Sequence, residues 1–259
     1  MNLTFFKYQG TGNDFVMVDD RERTFPANPA LIERLCHRRF GIGADGLILL
    51  LNDPDYDFRM VYFNADGGEG SMCGNGGRCT VRFAHDLGVI GDSTRFVAVD
   101  GEHLASVCEE EIFLKMGDVS GLEAHPGFDF LNTGSPHIVA FQRDLKEFDV
   151  VEKGQQLRYA PEWVERGGTN VNFAEVWPDG SLFVRTYERG VEDETYSCGT
   201  GVTAAALAAH LRHGLPDPVE IRTLGGPLRV SFELIGDAHF QNIYLIGPAK
   251  RVFEGMVEV

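Results

Sequence analysis

Two cysteines stand in the same short pattern, Cys-Gly-x-Gly: Cys73 in CGNGGR and Cys198 in CGTGVT. Each precedes a stretch of helical character that ends near a glycine, Gly88 in one case and Gly214 in the other, where a left-handed C-terminal turn is easiest to make. A thiol placed immediately before a helix sits among unpaired backbone N–H groups at the positive end of the helix dipole, which favours thiolate over thiol. The same N–H groups can hold a carboxylate. One such cysteine is an ordinary structural feature, because buried cysteines are common. Two of them in repeated surroundings are the pair of groups that inversion at a carbon requires: one removes a proton and the other returns one on the opposite face. Amide donors around both turns would stabilise the negative charge that develops on a substrate carboxylate during carbanion formation. In principle such chemistry needs no cofactor.

The surrounding sequence supports a repeat. The cysteines are 125 residues apart, and the same offset pairs Tyr62 with Tyr187, Glu69 with Glu194, Gly74 with Gly199, Gly76 with Gly201, Ala84 with Ala209, His85 with His210 and Gly101 with Gly226. The order of elements repeats as well: strand, acidic and Gly-rich turn, Cys-Gly-x-Gly, helix, strand, Gly. Two copies of one unit imply two similar domains facing each other. Turn formers gather at Gly117 to Gly127, so the expected domains are residues 1–118, completed by the strand-like 249–259, and residues 119–248. Strands are expected at Asp14 to Asp19, Gly46 to Leu51, Phe58 to Phe63 and Ser181 to Thr186. A third helix is expected at Pro29 to Arg38.

Composition narrows the class. The 259 residues are 43% hydrophobic and 24% charged, as in ordinary globular proteins, and the net charge of −16 would repel nucleic acid. No stretch has the length of a membrane span, and the N-terminus does not read as a signal peptide. A cytoplasmic protein acting on a small polar molecule, with no membrane partner, is the expectation. The five cysteines are odd in number and irregularly spaced, which fits no disulfide framework and no paired zinc-ligand pattern. Cys36, Cys79 and Cys108 are expected in the core. GIGADG from Gly41 spells a dinucleotide-binding pattern but runs into LILLL, a strand, where that motif requires a helix.

The segments GTGNDF from Gly10, GIGADG from Gly41, FNADG from Phe63, CGNGGR from Cys73, GSPH from Gly134, GTNVNF from Gly168 and YERGVEDETYSCGTG from Tyr187 together resemble the diaminopimelate epimerase family, in the family's order. The resemblance implies an α+β fold of two pseudo-symmetric domains, each a mainly antiparallel sheet wrapped around a central helix, with the active site in the cleft between them. It implies interconversion of LL- and meso-diaminopimelate without pyridoxal phosphate or metal, and Cys73 and Cys198 as the acid–base pair. It places substrate contacts at Asn13, Asn64, Gly74, Asn75, Asn170, Glu188, Arg189, Gly199 and Thr200, and makes His137 and Glu188 the pair that sets the proton affinity of the thiols. A homodimer is compatible with it. Two positions depart from the common family pattern, Gly46 in place of Gln and Ser135 in place of Asn. The smaller residues would leave room for water or a different distal group.

Taken by residue type alone, several of these positions have simpler readings. His137 could be a turn histidine satisfied by backbone, Glu188 and Arg189 a solvated pair at a strand end, and Asn13, Asn64 and Asn170 turn residues. The reaction class also has alternatives: a proline- or hydroxyproline-type racemase with paired cysteines, a thiol hydrolase or transferase using one cysteine, or an amino-acid binding module without turnover.

Overall fold

The computed structural model describes residues 2–259. In chain order its first elements are β1 (Asn2–Gly10), β2 (Asn13–Asp19), α1 (Pro29–Cys36), β3 (Gly46–Leu51), β4 (Arg59–Asn64), α2 (Gly74–Asp86), β5 (Ser93–Ala98), β6 (Gly101–Cys108) and β7 (Glu111–Lys115). There follow β8 (Val119–Ser120), β9 (Glu123–His125), β10 (Phe128–Asn132), β11 (Pro136–Phe141), α3 (Val150–Arg158), α4 (Pro161–Glu165), β12 (Asn170–Val176), β13 (Leu182–Glu188) and β14 (Asp193–Thr195). The chain ends with α5 (Gly199–His213), β15 (Val219–Thr223), β16 (Gly226–Leu234), β17 (His239–Pro248) and β18 (Lys250–Glu258). It divides into two compact units, Met1–Leu114 with Gly247–Val259, and Lys115–Ile246.

The first unit orders its strands β18-β1-β2-β3-β4-β5-β6-β7, antiparallel except at β2·β3 and β4·β5. The second repeats the scheme as β9-β10-β11-β12-β13-β15-β16-β17, antiparallel except at β11·β12 and β13·β15. A parallel join needs a crossover, usually helical. In each unit one crossover helix (α1 or α3) covers the first join, and the helix behind the cysteine (α2 or α5) bridges the second.

That second helix is the centre of its unit. Helix α2 touches β1, β2, β3, β4, β6 and β18, and α5 touches β10, β11, β12, β13, β15 and β16. The run GVTAAALAA from Gly201 to Ala209 is buried throughout, as a helix hydrophobic on every side must be, and its small side chains let strands approach from several directions. Its core joins Val184, Ile221, Val230 and Leu245 from the surrounding strands. β3 reads GLILLL and is buried at every position, because α1 covers one face while α2 lies against the other.

The expected strands and the two cysteine-led helices are present. Gly214 closes α5 with φ 67°, ψ 28°, the left-handed cap its position suggests. Helix α1 starts where Asn28 accepts the Leu31 N–H and Pro29 follows, but it stops at Cys36 rather than Arg38. There the His37 backbone turns extended and its Nδ1 accepts the N–H groups of Arg39 and Phe40. Helices α3 and α4 come in addition to the three that the sequence predicts. Cys36 and Cys79 are buried, whereas Cys108 is exposed at the end of β6, on no core face.

Candidate active site

Each unit carries half of the expected residues, and each half is built on the N-terminus of the central helix. In the first unit Cys73 is the N-cap of α2, with extended backbone (φ −110°, ψ 147°), and its Sγ accepts the Gly76 N–H at 3.2 Å. The same sulfur lies 3.9 Å from Asn13 Oδ1, in position to donate its S–H there. One sulfur therefore has a donor for its ionised form and an acceptor for its protonated form.

Asn13 is held for that task. Its Nδ2 donates to Asp45 Oδ2 at 2.7 Å, which leaves Oδ1 to face Cys73 and the Asn75 amide (3.4 Å). Asp45 is fixed in turn by Arg38 (2.7 Å), which also grips Asp14 through both guanidinium nitrogens (2.8 and 3.0 Å). Lys7 pairs with Asp14 at 2.8 Å, and these two cations hold the Asp14 carboxyl down at about 2, against burial. Asn75 is buried, and its Oδ1 accepts Arg78 Nη2 at 3.0 Å. The wholly buried Arg78 also donates to Thr11 (3.2 Å) and to the Gly74 carbonyl (3.3 Å); burial lowers its guanidinium to about 10, so it stays charged at neutral pH. Asn64 ends β4 opposite Gly46 and is exposed.

At Gly46 the expected spare room is absent. A Cβ there would meet the Phe63 carbonyl oxygen and Tyr62 Cε2, each at 2.5 Å. The Tyr62 ring fills the space: its other edge lies over Gly70, whose Cβ would meet Tyr62 Cε1 at 2.7 Å, and Phe15 packs beneath at 5.9 Å between centroids.

In the second unit Cys198 is the buried N-cap of α5 (φ −117°, ψ 114°), and its sulfur makes no capping bond to the helix. It faces a hydroxyl instead, Thr200 Oγ1 at 3.6 Å. That oxygen is 2.8 Å from His137 Nε2. His137 is a wholly buried strand residue rather than a turn histidine; burial, and then the Arg189 charge, depress it to about 3, so the ring is neutral. Asn172 touches the other ring nitrogen at 3.0 Å. Asn170 donates to Ser135 Oγ and to the Pro136 carbonyl, each at 3.1 Å, and accepts the Arg189 N–H at 2.9 Å. Ser135 thus anchors Asn170. Glu188 accepts from Thr195 Oγ1 at 2.8 Å, and the exposed Arg189 side chain reaches the carbonyls of Gly167 and Gly168. Gly199 and Thr200 form the first turn of α5, with the Thr200 carbonyl accepting from Thr133 Oγ1 at 2.8 Å.

The unforeseen members are Asn172, Thr186, Thr133, Arg78 and the Asp14–Arg38–Asp45 group. Asn172 lies two residues beyond Asn170 in GTNVNF, on the same face of β12, and that alternation is the signal that points to it. Among the described residues no group of three or more His, Cys, Asp or Glu could hold a metal ion.

These two helix N-termini can hold carboxylates, and the sulfurs beside them can exchange protons. A diaminopimelate epimerase family model matches residues 5–122 and 130–252. A diaminopimelate epimerase of Flavobacterium psychrophilum is 50% identical over 97% of this chain and 99% of its own length. One from Chlorobaculum tepidum is 43% identical over 96% and 98%. Among solved structures, a phenazine biosynthesis protein of the PhzF family from Bacillus anthracis superposes with TM-score 0.79 at 15% identity, covering 100% of both chains. A hydroxyproline epimerase from Agrobacterium vitis gives 0.69 at 15%, covering 99% and 92%. At that identity the structural likeness establishes the two-part epimerase fold alone.

Proposed function

The chain belongs to the diaminopimelate epimerase family, and from that premise we propose that it interconverts LL- and meso-diaminopimelate, one of Cys73 and Cys198 removing the α-proton and the other delivering a new one to the opposite face. The product serves lysine and peptidoglycan-precursor synthesis. The observation that carries the reading is the repeated placement of the two thiols, each N-capping the central helix of its unit at the same point of the same strand order.

Inversion requires the departing and arriving protons to pass on opposite faces of one carbon, so two groups are needed, one entering as thiolate and one as thiol. For Cys73 the Gly76 N–H stabilises the thiolate and Asn13 Oδ1 accepts from the thiol. For Cys198 the Thr200 hydroxyl, which can donate or accept, serves both states. The first-turn N–H groups of α2 and α5 meet the carboxylate of the reacting centre and the charge that spreads onto it. Glu188 receives an ammonium, and Arg189 with the asparagines receives the distal amino-acid end. The protein acts in the cytoplasm on this small molecule, without nucleic acid or membrane as partner, as monomer or homodimer; no described helix is long and apolar enough to cross a membrane.

Incubation with LL-diaminopimelate followed by chiral separation tests the reaction. The meso isomer should accumulate to equilibrium. Inversion of proline or hydroxyproline with diaminopimelate untouched would assign a different substrate to the same chemistry.

A further inference from the structure

Asn172 is buried in β12 and reaches the proposed acid–base machinery through His137. Its amide is oriented by two neighbours. Nδ2 donates to the Ile138 carbonyl at 2.9 Å, and Oδ1 accepts the Thr186 hydroxyl at 2.9 Å. A carbonyl can only accept, so the Ile138 contact fixes which end of the amide is nitrogen. The second hydrogen of that nitrogen faces His137 Nδ1 at 3.0 Å.

An N–H aimed at Nδ1 demands a lone pair there, so the proton of the neutral ring must sit on Nε2. Nε2 faces Thr200 Oγ1 at 2.8 Å, which makes the hydroxyl an acceptor from the ring and leaves its own proton for the Cys198 sulfur at 3.6 Å. We infer that Asn172 is a positioning residue that locks His137 as the Nε2–H tautomer, so that the chain His137→Thr200→Cys198 donates toward the sulfur and favours its thiolate. The reverse polarity would turn the Thr200 proton toward the ring and withdraw it from the sulfur.

The device belongs to the second unit alone. In the first unit Ile48 stands beside Gly76 as Asn172 does beside Gly201, it pairs with Tyr62 as Asn172 pairs with Thr186, and Asn75 takes the place of Thr200; Cys73 is instead served by the helix N–H of Gly76. The two thiols are thus supported by different means, and Cys73 provides an internal control. The inference deepens the two-thiol reading of the site, but the tautomer and the reactivity of Cys198 can be measured without substrate or turnover.

The test uses the whole protein with 15N-labelled histidine, the His137 signals being assigned by their loss in His137→Gln. Wild type should show a pyridine-type Nδ1 and a protonated Nε2; an Nδ1–H tautomer or an imidazolium in wild type overturns the inference, whatever any variant does. In Asn172→Leu, close to Asn in shape, the N–H aimed at Nδ1 is gone, and the ring should populate the Nδ1–H tautomer as well. Iodoacetamide should then alkylate Cys198 about 10-fold more slowly at neutral pH, with Cys73 unchanged. Should Asn172→Leu fail to fold, Thr200→Val, which cuts the chain but leaves the tautomer lock intact, should slow Cys198 similarly while the His137 spectrum stays as in wild type. Undiminished Cys198 alkylation in a folded variant overturns the inference. Absence of diaminopimelate turnover in wild type, with the tautomer and alkylation results as expected, would instead count against the proposed reaction.

Discussion

The Cys73 sulfur accepts the Gly76 N–H at 3.2 Å, and a Cβ built on Gly76 would lie 3.2 Å from that same sulfur. The glycine lets the helix N–H and the thiol approach without a side chain between them. Its counterpart Gly201 serves a different neighbour, because a Cβ there would fall 2.2 Å from Asn172 Oδ1.

These two glycines should respond differently to alanine. For Gly76→Ala the helix-propensity gain of about 0.8 kcal/mol offsets a squeeze of a few tenths of an ångström, so stability should change by less than about 1 kcal/mol while kcat falls roughly 10-fold. Gly201→Ala must displace Asn172 and should cost about 2 kcal/mol, lowering the melting midpoint by about 5 °C. Calorimetry on both variants checks this; equal midpoints would show that the Asn172 contact yields without cost.

Gly46→Gln should destabilise rather than restore the common family pattern, because the Tyr62 ring and the Phe63 carbonyl occupy the place of the new side chain. The expected cost is about 2–3 kcal/mol. Adding Tyr62→Ala should recover part of it, since the backbone carbonyl remains. A double-mutant cycle in urea measures the coupling, and strict additivity would mean that Tyr62 does not hold that space.

Stability should fall with acid through His137. Its folded pKa is depressed to about 3 by burial, then by Arg189, whereas the unfolded ring titrates near 6.5. The unfolded state therefore binds the proton first as pH drops. Stability is complete above about 6.5 and declines below it, at up to about 1.4 kcal/mol per pH unit from this one group. Asp14, held at about 2, acts in the same direction but only below its own unfolded value near 3.9. Urea unfolding between pH 6.5 and 4.5 should show a slope that His137→Gln lacks, and matching slopes would put the ring in a solvated setting.

The glycine-punctuated helices α2 and α5 and the repeated order of elements along the chain around them are legible in the sequence, because a cysteine before two glycines and a glycine at the far end mark both termini. Helix α3 is hidden by Gly154 at its middle, a residue that reads as a breaker. In the structure it is there because a Cβ would meet Tyr187 Cβ at 2.3 Å, a contact that depends on tertiary packing. Asn172 is hidden for a similar reason: in VNF it reads as one polar position in a strand, and its partners His137 and Thr186 are brought to it by neighbouring strands. The role of Tyr62 is invisible at Gly46, since nothing local to a glycine says which ring will cover it.

The central claim is that two different thiols handle the departing and arriving protons. Its most direct measurement is the early course of LL-diaminopimelate inversion in heavy water. If Cys73 and Cys198 act as a pair, each newly formed meso product molecule carries deuterium at the inverted carbon, while the remaining substrate stays protiated. Product that retains the substrate's own protium at that carbon would mean that a single group serves both faces, and would contradict the account.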